Sequence, residues 1–237
     1  MKEQQSEKLH NLRHSLAHIL ASAVLEMFPK AQLGVGPVIE NGFFYDFLLP
    51  RPLTPEDLAK IEKRMRALVK ENLNFKRQEM STEEAKTHFD QASQPFKVEL
   101  IKDIEKLGTT VFDELEEKKS DTKAKGLDKV SLYQTGKFTD LCRGGHVENT
   151  SEIDPQSFQL NKISGAYWRG DQNNPQMQRI YGLAFESKNA LDEYLKLQEE
   201  IGKRDHRVLG PRLGLFFFHE LSPGIPFHQP KGMVLRS

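Results

Sequence analysis

LHNLRHSLAHILASAVLEMF, residues 9–28, is the stretch on which the fold of this chain depends. Apolar residues recur in it every three or four positions, which predicts an amphipathic helix. His14 and His18 lie four residues apart and therefore on one face of that helix. Their neighbours on this face are small or apolar, and no formally charged residue occurs between Arg13 and Glu26. We therefore expect the helix to be buried on both sides, with two imidazoles entering an interior or a pocket.

This histidine pair has two interpretations, which are core histidines bonded to carbonyl groups or part of a functional site. A second pair with the same spacing, Cys142 and His146, lies far downstream. All four side chains can bind a metal or transfer a proton. The second pair therefore favours a functional site, on the condition that the two distant pairs share one cleft.

Turn and cap signals follow the first helix. Asn41-Gly42 separates two short apolar runs, which predicts a hairpin with a tight turn that needs positive φ. Thr54 followed by Pro55 predicts the start of a helix that reaches about residue 72. Ser81 with Glu84 forms a capping box and predicts a shorter helix.

The second half of the chain is mostly extended. Residues 95–104 are ambiguous between helix and strand, and residues 113–125 form a mixed-charge run typical of a solvated excursion. Ser187 predicts a helix to about Arg207, which Gly210-Pro211 ends. Because helices and hairpins mix without βαβ regularity, the fold class is α+β, with antiparallel sheets and packed helices. The predicted strands are Val130–Thr135, Phe138–Cys142, Phe158–Ile163, Gly165–Arg169 and Gln178–Phe185.

Composition narrows the class of protein. The 237 residues carry 34 basic and 34 acidic side chains, so any nucleic acid must be held by local patches. The single cysteine excludes an internal disulfide and fits a reducing compartment. We find no signal peptide and no span long enough for a membrane, so we expect a cytoplasmic protein without membrane contact.

Five motifs occur in a fixed order along the chain. They are HSLAH (14–18), ENGFFYD (40–46), DLCRGGH (140–146), GAYWRGD (165–171) and KRDHR (203–207). Together they resemble bacterial-type threonyl-tRNA synthetase. The resemblance implies an editing domain, the second additional domain shared with alanyl-tRNA synthetases, over residues 1–186. It implies a linker helix over residues 187–209 and the truncated start of a class II catalytic domain over residues 210–237.

The function implied by the resemblance is hydrolysis of mischarged seryl-tRNA(Thr), with the 3′ end of tRNA(Thr) as partner. A synthetic site sized for threonine rejects serine weakly, since one missing methyl contact is worth about 1–3 kcal/mol. The full-length protein would ligate threonine to tRNA(Thr) with ATP and would form a homodimer. We expect neither property from this fragment alone.

The resemblance also assigns roles to residues. His14 would orient or deprotonate the attacking water, because an unperturbed imidazole has a pKa of about 6.5. Lys97 would hold the water or the developing negative charge, although without the resemblance it would pass for a surface lysine. Asp140 would pair with the α-ammonium of the seryl group or merely cap a turn, and Tyr45 would position the substrate or be a half-buried hairpin aromatic. The substrate-binding residues are thus His18, Tyr45, Asp140, Cys142 and His146.

We expect no metal or other cofactor in this part of the chain. ATP, magnesium and zinc would belong to the catalytic domain. His14, His18, Cys142 and His146 could nevertheless form a tetrahedral zinc shell, and related alanyl-tRNA editing proteins share this spacing and bind zinc. The rival function is therefore a non-enzymatic tRNA-binding or zinc-stabilised module, which would leave the ester intact.

Two further features could contact tRNA. Tyr167 and Trp168 could stack on an unpaired terminal base, or at least one of them could belong to the core. A group of basic residues could bind phosphate or simply form a solvated helix end. These basic residues are Lys203, Arg204, Arg207, Arg212 and Lys231.

Overall fold

The computed structural model describes residues 2–107 and 127–234, so the mixed-charge run at 113–125 lies outside the described residues. The chain forms two compact units, Met1–Lys188 and Asn189–Ser237. Within these described residues, helices and antiparallel sheets occur without βαβ units, which confirms the predicted α+β class. None of the helices within the described residues combines the length and hydropathy needed to cross a membrane.

The first unit contains two antiparallel sheets. One has the strand order β1-β3-β8-β7 with β2 paired to β3, and the other has the order β4-β5-β6. The strands are β1 (Gln32–Leu33), β2 (Val38–Ile39), β3 (Gly42–Leu48), β4 (Phe75–Ser81), β5 (Lys129–Thr135), β6 (Phe138–Leu141), β7 (Phe158–Tyr167) and β8 (Gln176–Ala184). The helices are α1 (Lys2–Met27), α2 (Pro55–Lys70), α3 (Thr82–Gln91) and α4 (Pro95–Leu107).

Helix α1 is the centre of the core, as the apolar pattern predicts. Its apolar stripe packs with α2 and with the inward-facing aromatic residues of β3. The opposite face is also closed, since His14 and His18 are both buried. A helix that is apolar or small on all sides is stable only where both sides are covered, and here two sheets and a helix cover it.

The predicted N-cap at Thr54 and the predicted capping box at Ser81 are both present, and Thr54 also forms a capping box with Asp57. The Thr54 hydroxyl accepts from the amide of Asp57, and Ser81 accepts from the amide of Glu84. Each capping residue satisfies one of the amides that the first helical turn leaves without an intrahelical partner. The segment 95–104, which the pattern left undecided, is helical and forms most of α4.

The predicted hairpin exists, but its turn is different. Ile39 pairs with Gly42, so Glu40 and Asn41 form the turn, and neither Asn41 nor Gly42 has positive φ. The reason for a glycine is close approach: a Cβ on Gly42 would lie 1.9 Å from the carbonyl oxygen of Gly182 on β8.

Two extended segments differ from the prediction. Phe158–Tyr167 is one continuous strand with an irregular register between Leu160 and Lys162, where two strands were expected. Residues 168–170 are not extended but form a 3₁₀ turn. Arg169 in this turn has φ of +57°, a left-handed conformation that no strand accommodates.

The second unit contains α5 (Lys188–Lys203), α6 (His206–Arg212), the hairpin of β9 (Phe216–His219) with β10 (Ser222–His228), and α7 (Pro230–Val234). The single helix predicted to Arg207 is therefore two helices. The break lies where the Asp205 side chain accepts from the amide of Arg207 and caps a new helix. That second helix continues through Gly210-Pro211, the predicted stop, and ends at Arg212.

Candidate active site

The two distant pairs of the sequence meet in one cluster. Cys142 Sγ lies 3.4 Å from Nε2 of His14 and 3.2 Å from Nε2 of His146. The rings of His14 and His18 both lie within 4.4 Å of the His146 ring, measured between centroids. Helix α1 therefore supplies two imidazoles, and the loop after β6 supplies the thiol and the third imidazole. The condition on which the functional interpretation rests is met.

The loop from Cys142 to His146 is shaped by two glycines. Gly144 has φ of +124° and Gly145 has φ of +87°, values that side chains other than glycine rarely adopt. The amide of Gly144 donates to Cys142 Sγ at 3.4 Å. This tight reversal turns the thiol and His146 back toward α1.

Beside the cluster lies a buried group of three polar side chains. Lys97 Nζ is 2.5 Å from Asp140 Oδ1 and donates to the Tyr45 hydroxyl at 3.0 Å. Tyr45 in turn donates to Asp140 Oδ2 at 2.6 Å, and the amide of Leu141 donates to Oδ1 at 2.8 Å. Lys97 and Asp140 are each only 2% exposed. A buried charge is tolerated when it is paired and hydrogen-bonded, and both charges here meet that condition.

Apart from His146, the side chains of the cluster and of this buried group line one cavity of about 350 Å³. This volume is near the lower end of the range for ligand pockets. Both sheets, α1 and α4 contribute to its walls. Three basic residues and one acidic residue at exposed positions also line it. The polar residues lining the cavity are His14, His18, Tyr45, Arg77, Glu79, Lys97, Lys129, Ser131, Asp140, Cys142 and Arg143.

Burial keeps the imidazoles of the cluster neutral. Burial and the neighbouring His10 lower the pKa of His14 from 6.5 to about 4. The pKa of His18 falls well below its usual value through burial and through the neighbouring His14 and Lys97, and burial likewise depresses the pKa of His146. The pKa of His14 thus lies below that of an unperturbed imidazole, because burial destabilises the imidazolium more than the nearby charge of Asp140 stabilises it.

The phenol of Tyr45 is held in its protonated form. Burial raises its pKa well above the usual value, and the charge of Asp140 and the hydrogen bond to it act in the same direction. Tyr45 is therefore a donor to Asp140 and an acceptor from Lys97 at neutral pH. Tyr45 is fully buried, which argues against the alternative interpretation of a half-buried hairpin aromatic.

Several residues that hold His146 escape detection in the sequence. Ser15 Oγ lies 3.2 Å from His146 Nδ1 and accepts from the amide of Val147 at 3.0 Å. Phe75 stacks on the imidazole with centroids 4.9 Å apart, and Tyr133 lies at 4.6 Å. The position of Ser15 beside His14 on the same helix was the available signal. Phe75 and Tyr133 gave none, because they belong to a sheet that pairs segments about 60 residues apart.

The four side chains of the cluster are of the types that can hold a zinc ion. One ligand atom from each of His14, His18, Cys142 and His146 lies within 4.8 Å of the others. Tetrahedral zinc takes three imidazole nitrogens at about 2.0–2.1 Å and a thiolate at about 2.3 Å, so the four ligand atoms would have to move closer together to bind it. The neutral state of the imidazoles, which burial favours, is also the state that binds metal.

The tryptophan of the GAYWRGD motif belongs to the core. Trp168 is 3% exposed and packs on Phe96 with ring centroids 4.8 Å apart. Its position excludes stacking on a base without rearrangement. Tyr167 is 44% exposed and can offer its ring to a ligand.

Most of the predicted basic group is already paired with acidic or carbonyl oxygens of the second unit. Lys203 bonds to Glu199 and Arg204 to Glu200, each one helical turn earlier. Arg207 pairs with Asp205 at 2.8 Å. Exposed pairs of this kind exchange easily with water or phosphate, so the geometry leaves both interpretations of this group open.

Part of the sequence matches a known domain family. Residues 130–181, which run from β5 into β8 and include the Cys142–His146 loop, match the family described as the threonyl and alanyl tRNA synthetase second additional domain. The matched segment thus contains Cys142 and His146, which are half of the His/Cys cluster.

The individual relatives are threonine–tRNA ligases. The chain is 45% identical to the ligase of Gloeobacter violaceus over 237 residues, which is 100% of this chain and 35% of the relative. It is 51% identical to that of Dehalococcoides mccartyi strain BAV1 over 229 residues, or 96% of this chain and 35% of the relative. It is 46% identical to threonine–tRNA ligase 2 of Bacillus subtilis over 231 residues, or 98% of this chain and 33% of the relative.

The predicted resemblance is confirmed: the chain matches a segment of bacterial threonyl-tRNA synthetase that includes the second additional domain. The chain spans about a third of the length of these relatives.

Proposed function

We propose that this chain binds the aminoacylated 3′ end of tRNA(Thr) and hydrolyses the ester of mischarged seryl-tRNA(Thr). The observation that carries the proposal is one cavity lined by His14, Lys97 and Cys142, which come from three separated parts of the chain. Ester hydrolysis needs an aligned water, a proton acceptor and a donor for the tetrahedral oxyanion. The cavity offers a candidate for each.

Lys97 is the candidate donor to the oxyanion. Its ammonium has three N–H bonds, of which Asp140 and Tyr45 take one each, so one is left to point into the cavity. A charged donor fixed in a water-poor site stabilises a developing negative charge far more than the same donor in water. Asp140 and Tyr45 would hold this ammonium in place before the substrate arrives.

His14 is the candidate to align the water. A neutral imidazole has one acceptor nitrogen, so it can bind and orient water at neutral pH. With a pKa of about 4, His14 is a weak base. We therefore favour orientation of the water, with proton transfer to His14 only in the transition state as negative charge develops beside it.

The contacts of Asp140 favour a different role from pairing with the seryl ammonium. Its two oxygens already accept from Lys97, Tyr45 and the amide of Leu141. We propose that Asp140 mainly positions Lys97, and that pairing with the seryl ammonium would have to share an oxygen with these donors. His18 and Cys142 would complete the wall that limits the space for the amino acid, and His146 would support both of them.

The mouth of the cavity suits the end of a nucleic acid. Arg77, Lys129 and Arg143 lie on its lining with Glu79 as the one acidic residue among the exposed groups. A local excess of positive charge is what a phosphate backbone requires, even in a chain without net charge.

The test is deacylation of Ser-tRNA(Thr) beside Thr-tRNA(Thr) by the whole chain. We expect fast loss of serine, slow loss of threonine, and a reduction of at least about 100-fold in the Lys97→Met and His14→Ala variants. Lys102→Met, which places the same substitution at an exposed position of α4, should keep the wild-type rate. Equal rates on both esters would contradict the size discrimination, and no hydrolysis of either would contradict the proposed function.

A second function is favoured by the four converging ligand atoms. In this alternative the chain is a zinc-stabilised tRNA-binding module. A bound zinc would supply Lewis-acid or structural stabilisation at His14, His18, Cys142 and His146. Stoichiometric zinc in protein purified without chelator, lost in Cys142→Ser, together with an unchanged half-life of Ser-tRNA(Thr), would favour this module over the hydrolase.

The remaining assignments stay predictions. They are the editing domain over residues 1–186, the linker over 187–209 and the catalytic-domain start over 210–237. A cytoplasmic location, dimerisation of the full-length protein and the absence of ligase activity from this chain also stay predictions. Threonine-dependent exchange of pyrophosphate into ATP by this chain would contradict the last of them.

A further inference from the structure

The GAYWRGD motif meets the outer side of the helix that carries Lys97. Trp168 Nε1 donates to Glu99 Oε2 at 2.9 Å, and Arg169 Nη2 bonds to Asp103 Oδ2 at 2.7 Å. With 3.6 residues per turn, Glu99 and Asp103 lie roughly 120–160° around the α4 axis from Lys97. The helix is therefore held from two sides, by the cavity group on one and by this turn on the other.

The turn connects α4 to the sheet that carries Tyr45. It directly follows β7, which pairs with β8, and Ile180 of β8 faces Tyr45 of β3. An unbroken hydrogen-bonded sheet therefore runs from Tyr45 to the contacts that Trp168 makes with α4. The Lys97 ammonium contacts both Tyr45 and Asp140. It keeps both contacts only if α4 stays at its present distance from this sheet.

The turn has a conformation that costs free energy. Arg169 has φ of +57°, although a side chain other than glycine is disfavoured there by about 1–2 kcal/mol. Among the described residues, the buried Nε of Arg169 has no hydrogen-bond partner. Strained residues of this kind persist where their surroundings determine them strongly and are concentrated at functional sites.

We propose that the turn of Trp168–Gly170 positions the Lys97 ammonium for ester hydrolysis by fixing α4 against the β3–β8–β7 sheet. This inference rests on the proposed function of Lys97. Neither Arg169 nor Trp168 lines the cavity, and both are positioning residues. Displacement of a catalytic group by about 1 Å can cost up to about 100-fold in rate, so loss of the Asp103 contact should lower kcat with little effect on KM.

Arg169→Gly is the decisive variant. Glycine accepts the positive φ without strain, so the fold should be kept while the bond to Asp103 is lost. We expect kcat for Ser-tRNA(Thr) to fall 5- to 20-fold and KM to change less than 2-fold. Asp103→Asn should give the same pattern with a smaller decrease. Arg66→Ala, which removes bonds from α2 to the carbonyls of Pro155 and Phe158 and lines no part of the cavity, is the matched control with unchanged kcat.

Introducing Arg169→Gly into the Lys97→Met variant distinguishes a positioning role of Arg169 from a general loss of structure. If Arg169 acts through Lys97, Arg169→Gly should change the residual rate of Lys97→Met less than 2-fold. An equal fold-change in both backgrounds, or an unchanged kcat in the wild-type background, would overturn the proposal.

A second measurement does not depend on activity. Arg169→Gly should shift the ¹⁵Nζ resonance of Lys97 and leave that of Lys102 in place. If the wild type hydrolysed no ester, the proposed function would fail, and this shift would still decide whether the turn positions Lys97. An unmoved Lys97 resonance would overturn the positioning role.

Discussion

Removal of the Lys97 ammonium tests the electrostatic core of the site independently of catalysis. Lys97→Met keeps most of the side-chain volume but deletes the cation 2.5 Å from a carboxylate that is 2% exposed. Removing one partner of a buried ion pair costs about 3–5 kcal/mol, because the other charge stays in the interior without compensation. Tyr45 and the amide of Leu141 still donate to Asp140, so we expect a loss near 3 kcal/mol.

The assay is urea unfolding followed by fluorescence. Trp168 is the only tryptophan of the chain and packs on Phe96 next to Lys97, so its emission reports on the unit that contains the site. With a slope of about 2 kcal/mol per molar urea, the midpoint should fall by about 1.5 M. Lys102→Met, the same substitution at an exposed position of α4, should move it by less than about 0.3 M.

The double variant makes this prediction refutable. Lys97→Met combined with Asp140→Asn removes both charges, so the loss should be smaller than the sum of the two single losses by at least about 2 kcal/mol. Additive losses would mean that the two charges do not compensate each other. A loss in Lys97→Met no larger than that in Lys102→Met would refute the reasoning altogether.

Three other perturbations have defined outcomes. As pH falls from 6.5 to about 4, the unfolded chain protonates His14 and the folded chain does not, so the unfolding free energy should fall by about 3 kcal/mol for this group. Urea midpoints at pH 7.5, 6.0 and 4.5 with chelator should show this fall, and the fall should be smaller in the His14→Gln variant. Gly42→Ala should lower the unfolding free energy from thermal melts by more than about 2 kcal/mol, because the new Cβ would clash with the Gly182 carbonyl. The control is Gly202→Ala, whose new Cβ has no neighbour within 4 Å, and it should raise the unfolding free energy by about 0.5 kcal/mol. Tyr45→Phe should lose about 1–2 kcal/mol at constant urea slope, since it removes a donor to Asp140.

Local signals in the sequence were sufficient where the cause of structure is local. The apolar period of residues 9–28 located the buried helix, and the Thr54 and Ser81 caps located two helix starts. The hairpin was found but its turn was wrong. A short range of sequence cannot reveal that Gly42 faces the carbonyl of a strand about 140 residues away.

Lys97 shows why part of the candidate site had to come from a resemblance. In sequence it stands between Phe96 and Val98 with nothing to separate it from a solvated lysine. Its burial depends on Asp140 and Tyr45, which reach it from two different sheets. The strand Phe75–Ser81 was missed for a similar reason, because most of its residues are exposed and it lacks a clear alternation of polar and apolar residues.

The charge state of the site explains how so many polar groups can share one interior. Lys97 and Asp140 cancel each other, Tyr45 stays protonated, and burial keeps three imidazoles neutral. These groups therefore bury no net charge, which is the condition for placing a cation in a medium of low dielectric constant. The same balance would suit the proposed reaction, which develops negative charge: the oxyanion would be uncompensated by these groups, and the remaining N–H of Lys97 would be a charged donor to it. Residues that together bury no net charge thus meet the requirement of folding and would meet that of the proposed ester hydrolysis.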